Sequence, residues 1–354
     1  MRAVYAASNA GALPAVVSYG ATLRVAQRGC PMSVNDSLLV IVLAQAVLYG
    51  TPLLYAALGE LLAERSGVLN LGVQGMMLFG AAVGFWITQR VDGSGALVLF
   101  LAVIASAIAG AAMAAIHAFL VITLRANQIV SGLALTIFAG GLGLSAYVGN
   151  ELGLADLPAS HQFADLDVLG LGDLPVLGPI LFDQSALVYA SWVVTLLMVV
   201  YLGRTRWGLN LRAVGEAPAS ADAMGINVTL YRYVHVLAGG AFAGVAGACY
   251  SLSITPGWTS GDTLVGGAGW IAIALVIFAF WRAELCLVGA YVFGALSALP
   301  FALQAREVDV TPEFLYALPY VMTIVVLVLV STGLSRRRLG APAALGVPYV
   351  REER

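Results

Sequence analysis

Apolar runs long enough to cross a lipid bilayer recur along almost the whole chain, and that recurrence constrains the fold more than any other feature. They cover Leu38–Leu62, Val68–Ile87, Ala96–Leu124, Ile129–Val148, Ala186–Leu202, Val234–Ile254, Leu264–Trp281, Leu285–Leu303 and Phe314–Leu334. A spanning helix takes about 20 apolar residues. Lipid offers no partner to backbone N–H and C=O groups, so each run is expected to be a helix. With 60% hydrophobic and only 10% charged residues, and a mean hydropathy of +0.92, the 354-residue chain falls among integral membrane proteins. Roughly nine or ten crossings fit, and no second, soluble domain fits in what remains. The expected fold is therefore an all-α polytopic membrane protein. A tail over 1–35 precedes the membrane domain, 36–335, and a cytoplasmic tail follows over 336–354.

Arginine placement orients the helices. The stretch Gly203–Arg232 carries Arg204, Arg206, Arg212 and Arg232, and the tail carries Arg336, Arg337, Arg338, Arg351 and Arg354. Both are expected in the cytoplasm. The loop from Asn150 to Ser185 has no arginine but holds Glu151, Asp156, Asp165, Asp167, Asp173 and Asp183, so it is expected outside. Gly50-Thr51-Pro52 interrupts the first run. A ten-helix arrangement with a broken or tilted first pair puts the N-terminal side inside. Residues 1–31 make a poor signal peptide, because Asn9, Pro14 and Ser18 break the apolar region and Arg24 and Arg28 follow it. They read as a tail, or as an over-extended start with Met32 as the first residue.

Several chemistries are excluded. All 17 basic residues are arginine, so the chain has neither a P-loop lysine nor a Schiff-base lysine. Any ATP hydrolysis must come from another chain. Cys30, Cys249 and Cys286 are far apart, and His117, His161 and His235 share no ligand spacing, which argues against disulfides and metal sites. No Ser-His-Asp set or paired carboxylates stand out in the spans. Glu60, Glu64 and Arg65 sit at a helix end and are expected to pair with one another.

The polar interruption Gly203–Arg232 holds a short helix with its own start and stop. Glu216 can accept hydrogen bonds from amides at a helix N-terminus. Pro218 fits the first turn, where its missing N–H costs nothing. Ala217–Met224 is rich in alanine, and Gly225 can take the left-handed conformation that ends a helix. A short capped helix between membrane spans suggests that another protein grips it.

Two further stretches are polar for their setting. In Glu64–Gly80, Asn70 and Gln74 stand four apart and would share one helical face. They read as a pore-facing stripe or as interhelical hydrogen bonding. In Arg125–Gly143, Asn127, Gln128 and Ser131 lie within one turn. Asn127 fits a helix cap, while Gln128 and Ser131 are candidates to face substrate. Gly80–Gly84 and Gly240–Gly244 are GxxxG patterns, read as helix packing. Trp86, Tyr147, Trp258 and Trp281 near span ends read as an aromatic belt, with stacking on a ligand ring as the alternative at Trp258 and Trp270.

Four segments together carry a resemblance: ERSGVLNLGVQGMM, ANQIVSGLAL, GLNLRAVGEAPASADAMGIN with Tyr231–Tyr233, and APAALGVPYVREER at Ala341–Arg354. The chain resembles permease subunits of bacterial ABC importers in the branch of branched-chain amino acid, simple sugar and nucleoside systems, nearest to the nucleoside type. The resemblance implies a type II importer-like permease in the bacterial inner (plasma) membrane. It implies coupling to a separate ATPase through Gly215, Glu216, Pro218, Asp222 and Gly225. It also implies a translocation path near Asn70, Gln74, Asn127, Gln128 and Ser131. The implied partners are the ATP-binding subunit, a second and homologous permease, an extracytoplasmic substrate-binding lipoprotein and a small-molecule substrate. No nucleic acid is expected, and no cofactor, since ATP sits on the partner. Two departures stand out: Gln74 replaces a glutamate found in many relatives, and Phe280–Glu284 lacks the usual Gly/Asn/Pro turn. A simple-sugar permease is the alternative. An ion-coupled secondary transporter is a weaker one, because mid-span acids, the usual ion sites, are almost missing.

Overall fold

The computed structural model describes residues 37–140, 143–259, 263–304, 311–331 and 340–351. The expectations for residues 1–35, Cys30 and Arg336–Arg338 lie outside the described residues. The fold is helical, with one two-stranded ribbon. In chain order the elements are α1 (Leu38–Arg65), α2 (Val73–Arg90), α3 (Gly95–Ala118), α4 (Gln128–Ala139), α5 (Leu144–Glu151), β1 (Asp165–Asp167), β2 (Asp183–Ser185), α6 (Ala186–Arg204), α7 (Arg206–Glu216), α8 (Pro218–Ala223), α9 (Val228–Cys249), α10 (Ala268–Phe278), α11 (Ala283–Gln304) and α12 (Pro312–Ser331). Wider π turns extend α3 to Thr123 and α9 to Ile254.

Six helices among the described residues are long and apolar enough to cross a membrane, against the nine or ten crossings expected. The shortfall has a local cause. The runs starting at Val68 and Leu264 open with irregular backbone, so α2 begins only at Val73 and α10 only at Ala268. Ala268–Phe278 remains apolar but short. The run through Val148 is divided between α4 and α5 but still counts as one of the six, Gln128–Glu151, while the run from Phe314 enters only as the shorter apolar helix Ala317–Val326 among the described residues.

The first run is not split. α1 is one helix of 28 residues that carries Pro52 inside it. Its start lies beside the acidic loop, where Gln184 donates to the carbonyl of Ala44 at 3.4 Å. Its end lies beside the C-terminal segment, where Arg65 donates to the carbonyl of Gly340 at 3.1 Å. α1 therefore runs from the side of the acidic loop to the side of the C-terminal segment as one helix, and the ten-helix arrangement with a broken first pair is corrected. The common side of the basic loop and the tail is direct: Ala344 N–H donates to Gly215 O at 2.9 Å.

α2, α3 and α9 pack at glycines. A Cβ at Gly244 of α9 would sit 2.0 Å from Ser106 O of α3, and one at Gly110 of α3 would sit 2.1 Å from Gly240 O. A Cβ at Gly247 would lie 1.9 Å from Met77 O, and one at Gly80 would lie 2.6 Å from Gly244 Cα. Both GxxxG patterns thus pack helices, as small residues do in lipid. Large side chains face outward on α3 and α4, such as Phe100 at 61% and Ile137 at 69% exposure, where lipid or another subunit covers them. The aromatic belt holds only in part. Tyr147 is exposed, but Trp258 and Trp281 are buried at 4% and 5%. Trp258 packs on Gly149, and Trp281 donates its indole N–H to Glu64.

The turn from α10 to α11 places Phe280 and Trp281 at φ of +51° and +54°. This is the stretch that lacks the family's Gly/Asn/Pro turn. Left-handed backbone costs a non-glycine residue about 1–2 kcal/mol. Glycine would regain that and lose about 0.5–1 kcal/mol in chain entropy. Phe280→Gly and Phe280→Ala both give up the partly buried ring, but only alanine keeps the left-handed strain, so the glycine variant should melt at the higher temperature of the two in detergent.

In the outer loop, Asp167 pairs directly with Asp183 across the ribbon. Partial burial, followed by the neighbouring carboxylates Asp167 and Asp173, pushes the Asp183 carboxyl above its ordinary range.

Candidate functional sites: a clamped turn and a cytoplasmic loop

The first site is the buried turn between α1 and α2. Six residues, Ser66–Leu71, are irregular backbone inside a helical bundle, where unpaired backbone groups are costly. Side chains from three helices satisfy them. Gln128 Oε1 on α4 accepts from Leu69 N at 2.7 Å, and His117 Nε2 on α3 meets Leu69 O at 3.1 Å. Ser131 Oγ lies 3.0 Å from His117 Nδ1 and so orients the imidazole. Glu60 Oε1 on α1 accepts from Asn70 N at 2.9 Å, and Thr136 Oγ1 on α4 donates to Leu71 O at 2.7 Å. Asn70 Oδ1 then accepts from Gly72 N at 2.9 Å, just ahead of α2.

Asn70 therefore lies in the turn, not on a helix, and it shares no helical face with Gln74. The reason is this side-chain clamp, which holds the backbone extended until Gly72. Gln74 sits in the first turn of α2, and its Oε1 accepts from Gly269 N at the start of α10 at 2.9 Å. It joins two helix starts, α2 and α10, as the interhelical reading expects. Asn127 is exposed and caps α4, accepting from Val130 N at 3.0 Å. It stands apart from Asn70, Gln74, Gln128 and Ser131, which are all buried. His117, Glu60 and Thr136 were missed at the sequence level, because single polar residues in apolar runs carry no spacing signal. Of the expected set, Glu60 and Glu64 share a side-chain hydrogen bond; Glu60 also accepts from Asn70 N, Glu64 from the Trp281 indole, and Arg65 donates to the carbonyls of Trp281 (2.6 Å) and Gly340 (3.1 Å).

Gln128→Ala leaves Leu69 N–H buried without an acceptor, a loss of about 1–3 kcal/mol. The variant should unfold at lower temperature in detergent, and an unchanged melting temperature would count against the clamp.

The second site is the basic loop Gly203–Arg232, expected on the cytoplasmic side. It holds two helices rather than one. α7 is amphipathic, capped by Thr205 Oγ1 accepting from Gly208 N at 3.0 Å, and it buries Gly208, Leu211, Val214 and Gly215. α8 follows with Pro218 at its first position, and Gly225 at φ +84° ends the turn, as expected. Glu216 does not cap α8. It is the last residue of α7, and its carboxylate accepts from Ala343 N at 3.3 Å in the C-terminal segment. The α8 N-cap position is Ala217, whose methyl cannot accept a hydrogen bond. α8 buries only Ala221, while Ala219, Ser220, Ala223 and Met224 face outward, Met224 at 83% exposure. Asp222 pairs with Arg351 at 3.3 Å.

Six helices among the described residues, long and apolar enough to cross a membrane and packed around a clamped turn, give a multi-pass helical membrane bundle. The chain belongs to the family of the branched-chain amino acid transport system permease component, whose model matches residues 42–327. It is the transmembrane permease of an ABC importer. It is 39% identical to the provisionally named glucose ABC transporter permease protein TsgC13 of Haloferax volcanii, over 85% of this chain and 95% of that protein. It is 33% identical to the nucleoside ABC transporter permease NupC of Lactococcus lactis, over 91% of this chain and 100% of that protein. It is 34% identical to the guanosine ABC transporter permease NupQ of Bacillus subtilis, over 90% of this chain and 98% of that protein. No solved structure matches the chain. Membership of the family implies an ATPase and a substrate-binding protein as partners.

Proposed function

We propose that this permease carries nucleosides inward. The observation that carries this reading is the pair of relatives named for nucleosides and guanosine, each aligned over at least 90% of this chain. A simple sugar is the second reading, favoured by the 39% identity to the glucose-named relative. The two substrates share hydroxyl chemistry, and the purine or pyrimidine ring separates them. Uptake of labelled guanosine by cells expressing the complete system tests the choice. Guanosine uptake that excess glucose does not compete supports a nucleoside carrier; glucose uptake that guanosine does not compete assigns the sugar.

The catalytic work of ATP hydrolysis belongs to the partner, and this chain needs no cofactor of its own. Gly215, Glu216, Pro218, Asp222 and Gly225 form the coupling element: α8 docks in a groove of the ATPase through its exposed face. A homologous second permease completes the path, and a lipid-anchored binding protein delivers substrate to the outer face. Asn70, Gln74, Gln128 and Ser131 border the path at the clamped turn. The Nε2 group of Gln128, buried and without a partner, is the donor best placed to meet a substrate hydroxyl when the turn moves. Asn127 serves as a cap rather than a path residue.

A further inference from the structure

The C-terminal segment Gly340–Arg351 makes contacts that its short, irregular backbone does not require for itself. Arg65 Nη1, at the end of α1, donates to Gly340 O at 3.1 Å. Ala343 N donates to Glu216 Oε2 at 3.3 Å, and Ala344 N donates to Gly215 O at 2.9 Å. Gly346 N donates to Gly67 O at 3.2 Å, in the α1–α2 turn. Arg232 of α9 is buried, and its Nη1 donates to Val347 O at 3.2 Å. Arg351 closes the series on Asp222 of α8 at 3.3 Å.

Along the segment the contacts alternate between two kinds of target. One is the clamped turn and the helices that flank it: Arg65, Gly67 and Arg232. The other is the cytoplasmic loop: Gly215, Glu216 and Asp222. Gly67, at φ +87°, is where they converge, since a Cβ there would lie 3.0 Å from Arg232 Nη2 and 3.2 Å from Ala344 O. Most of the bonds use tail backbone, so they depend on the path of the segment more than on its side chains. Among the described residues the Nε and Nη2 atoms of Arg232 have no hydrogen-bond partner, which leaves Val347 O as the one acceptor there for this buried guanidinium.

We infer that Gly340–Arg351 is a positioning segment that ties α8 to the α1–α2 turn, so that movement of the cytoplasmic loop reaches the turn through it. The inference rests on the coupling role proposed for α8. It assigns the segment no contact with substrate or ATP.

The test uses the assembled importer, purified with its ATPase and reconstituted in vesicles. A chain ending at residue 339 is compared with the full chain. The expected result is an assembled complex whose basal ATPase stays within twofold while uptake per ATP falls at least tenfold. Unchanged uptake per ATP would overturn the inference. So would loss of the ATPase subunit from the purified complex, which would make the segment an assembly element. A second variant keeps the chain whole: Ala344→Pro removes the N–H given to Gly215 O, and a several-fold fall in uptake per ATP is expected. Joining Asp222→Cys to Arg351→Cys with a bis-maleimide separates positioning from a latch that must open. Uptake at least equal to that of the unlinked double variant supports positioning, and uptake abolished by the link overturns it. If Glu216→Arg and Gly225→Val uncouple the importer but truncation does not, this inference fails alone. If none of them uncouples it, the coupling role of α8 fails first.

Discussion

Gly244→Val should abolish the folded bundle. A Cβ at this position meets Ser106 O at 2.0 Å and Gly110 N at 3.2 Å, and both are backbone atoms of α3. No rotamer change relieves a clash with backbone, so α9 must move away from α3. That movement also loosens the contacts of α9 with α2, where Gly80 faces Gly244. Overpacking a core ordinarily costs about 1–3 kcal/mol, and a branched side chain between two backbones belongs at or above the top of that range. In lipid the loss is not recovered elsewhere, because helix association there depends on close packing rather than on the hydrophobic effect. The expected outcome is inserted chain that is degraded, or that elutes as aggregate from detergent. Gly203→Val serves as the control, because a Cβ at Gly203 meets nothing within 4 Å. A Gly244→Val protein with an unchanged melting temperature would show that α3 and α9 are not held this closely.

The second large effect concerns transmission rather than folding. Glu216→Arg reverses an exposed charge at the end of α7 and removes the acceptor of Ala343 N. Gly225→Val acts differently. Nothing lies within 4 Å of a Cβ there, so its penalty comes from the backbone at φ +84° alone. Left-handed backbone costs about 1–2 kcal/mol for an ordinary residue, and more for a β-branched one. That is enough to displace α8 by a tenfold or larger shift in population, since about 1.4 kcal/mol is a factor of ten. Both variants should insert and assemble, yet lose substrate-stimulated ATPase and uptake together. Gly225→Asn should recover much of the function, because asparagine tolerates this conformation. Normal substrate-stimulated ATPase in Glu216→Arg and Gly225→Val would remove the coupling role from α8.

Much of this arrangement is legible in the sequence because lipid leaves few choices. Apolar runs must be helices, arginines put the basic loop and the tail on a common side, and Pro218 and Gly225 bracket a helix by their own backbone geometry. The limits have equally physical causes. Pro52 reads as a break, yet α1 continues through it, because neighbouring helices bury the segment and hold the backbone on both sides of the proline. Val68–Leu71 reads as helix from composition, yet it is a turn, because Gln128, His117, Glu60 and Thr136 offer its backbone better partners from afar. Glu216 reads as a cap for the next helix but bonds a residue 127 positions away. Contacts at such separations leave no mark on local pattern. The family departure at Phe280–Glu284 was visible as composition, while its consequence, two consecutive left-handed residues, was not.

The most direct test of the account is the energy source of transport. Vesicles holding this chain with its ATPase and second permease, supplied with the binding protein and labelled guanosine, are measured with and without ATP and with ion gradients intact or collapsed. The account predicts uptake that stops without ATP and is unaffected by collapsing the gradients. Uptake that persists without ATP and stops when the gradients collapse would contradict it.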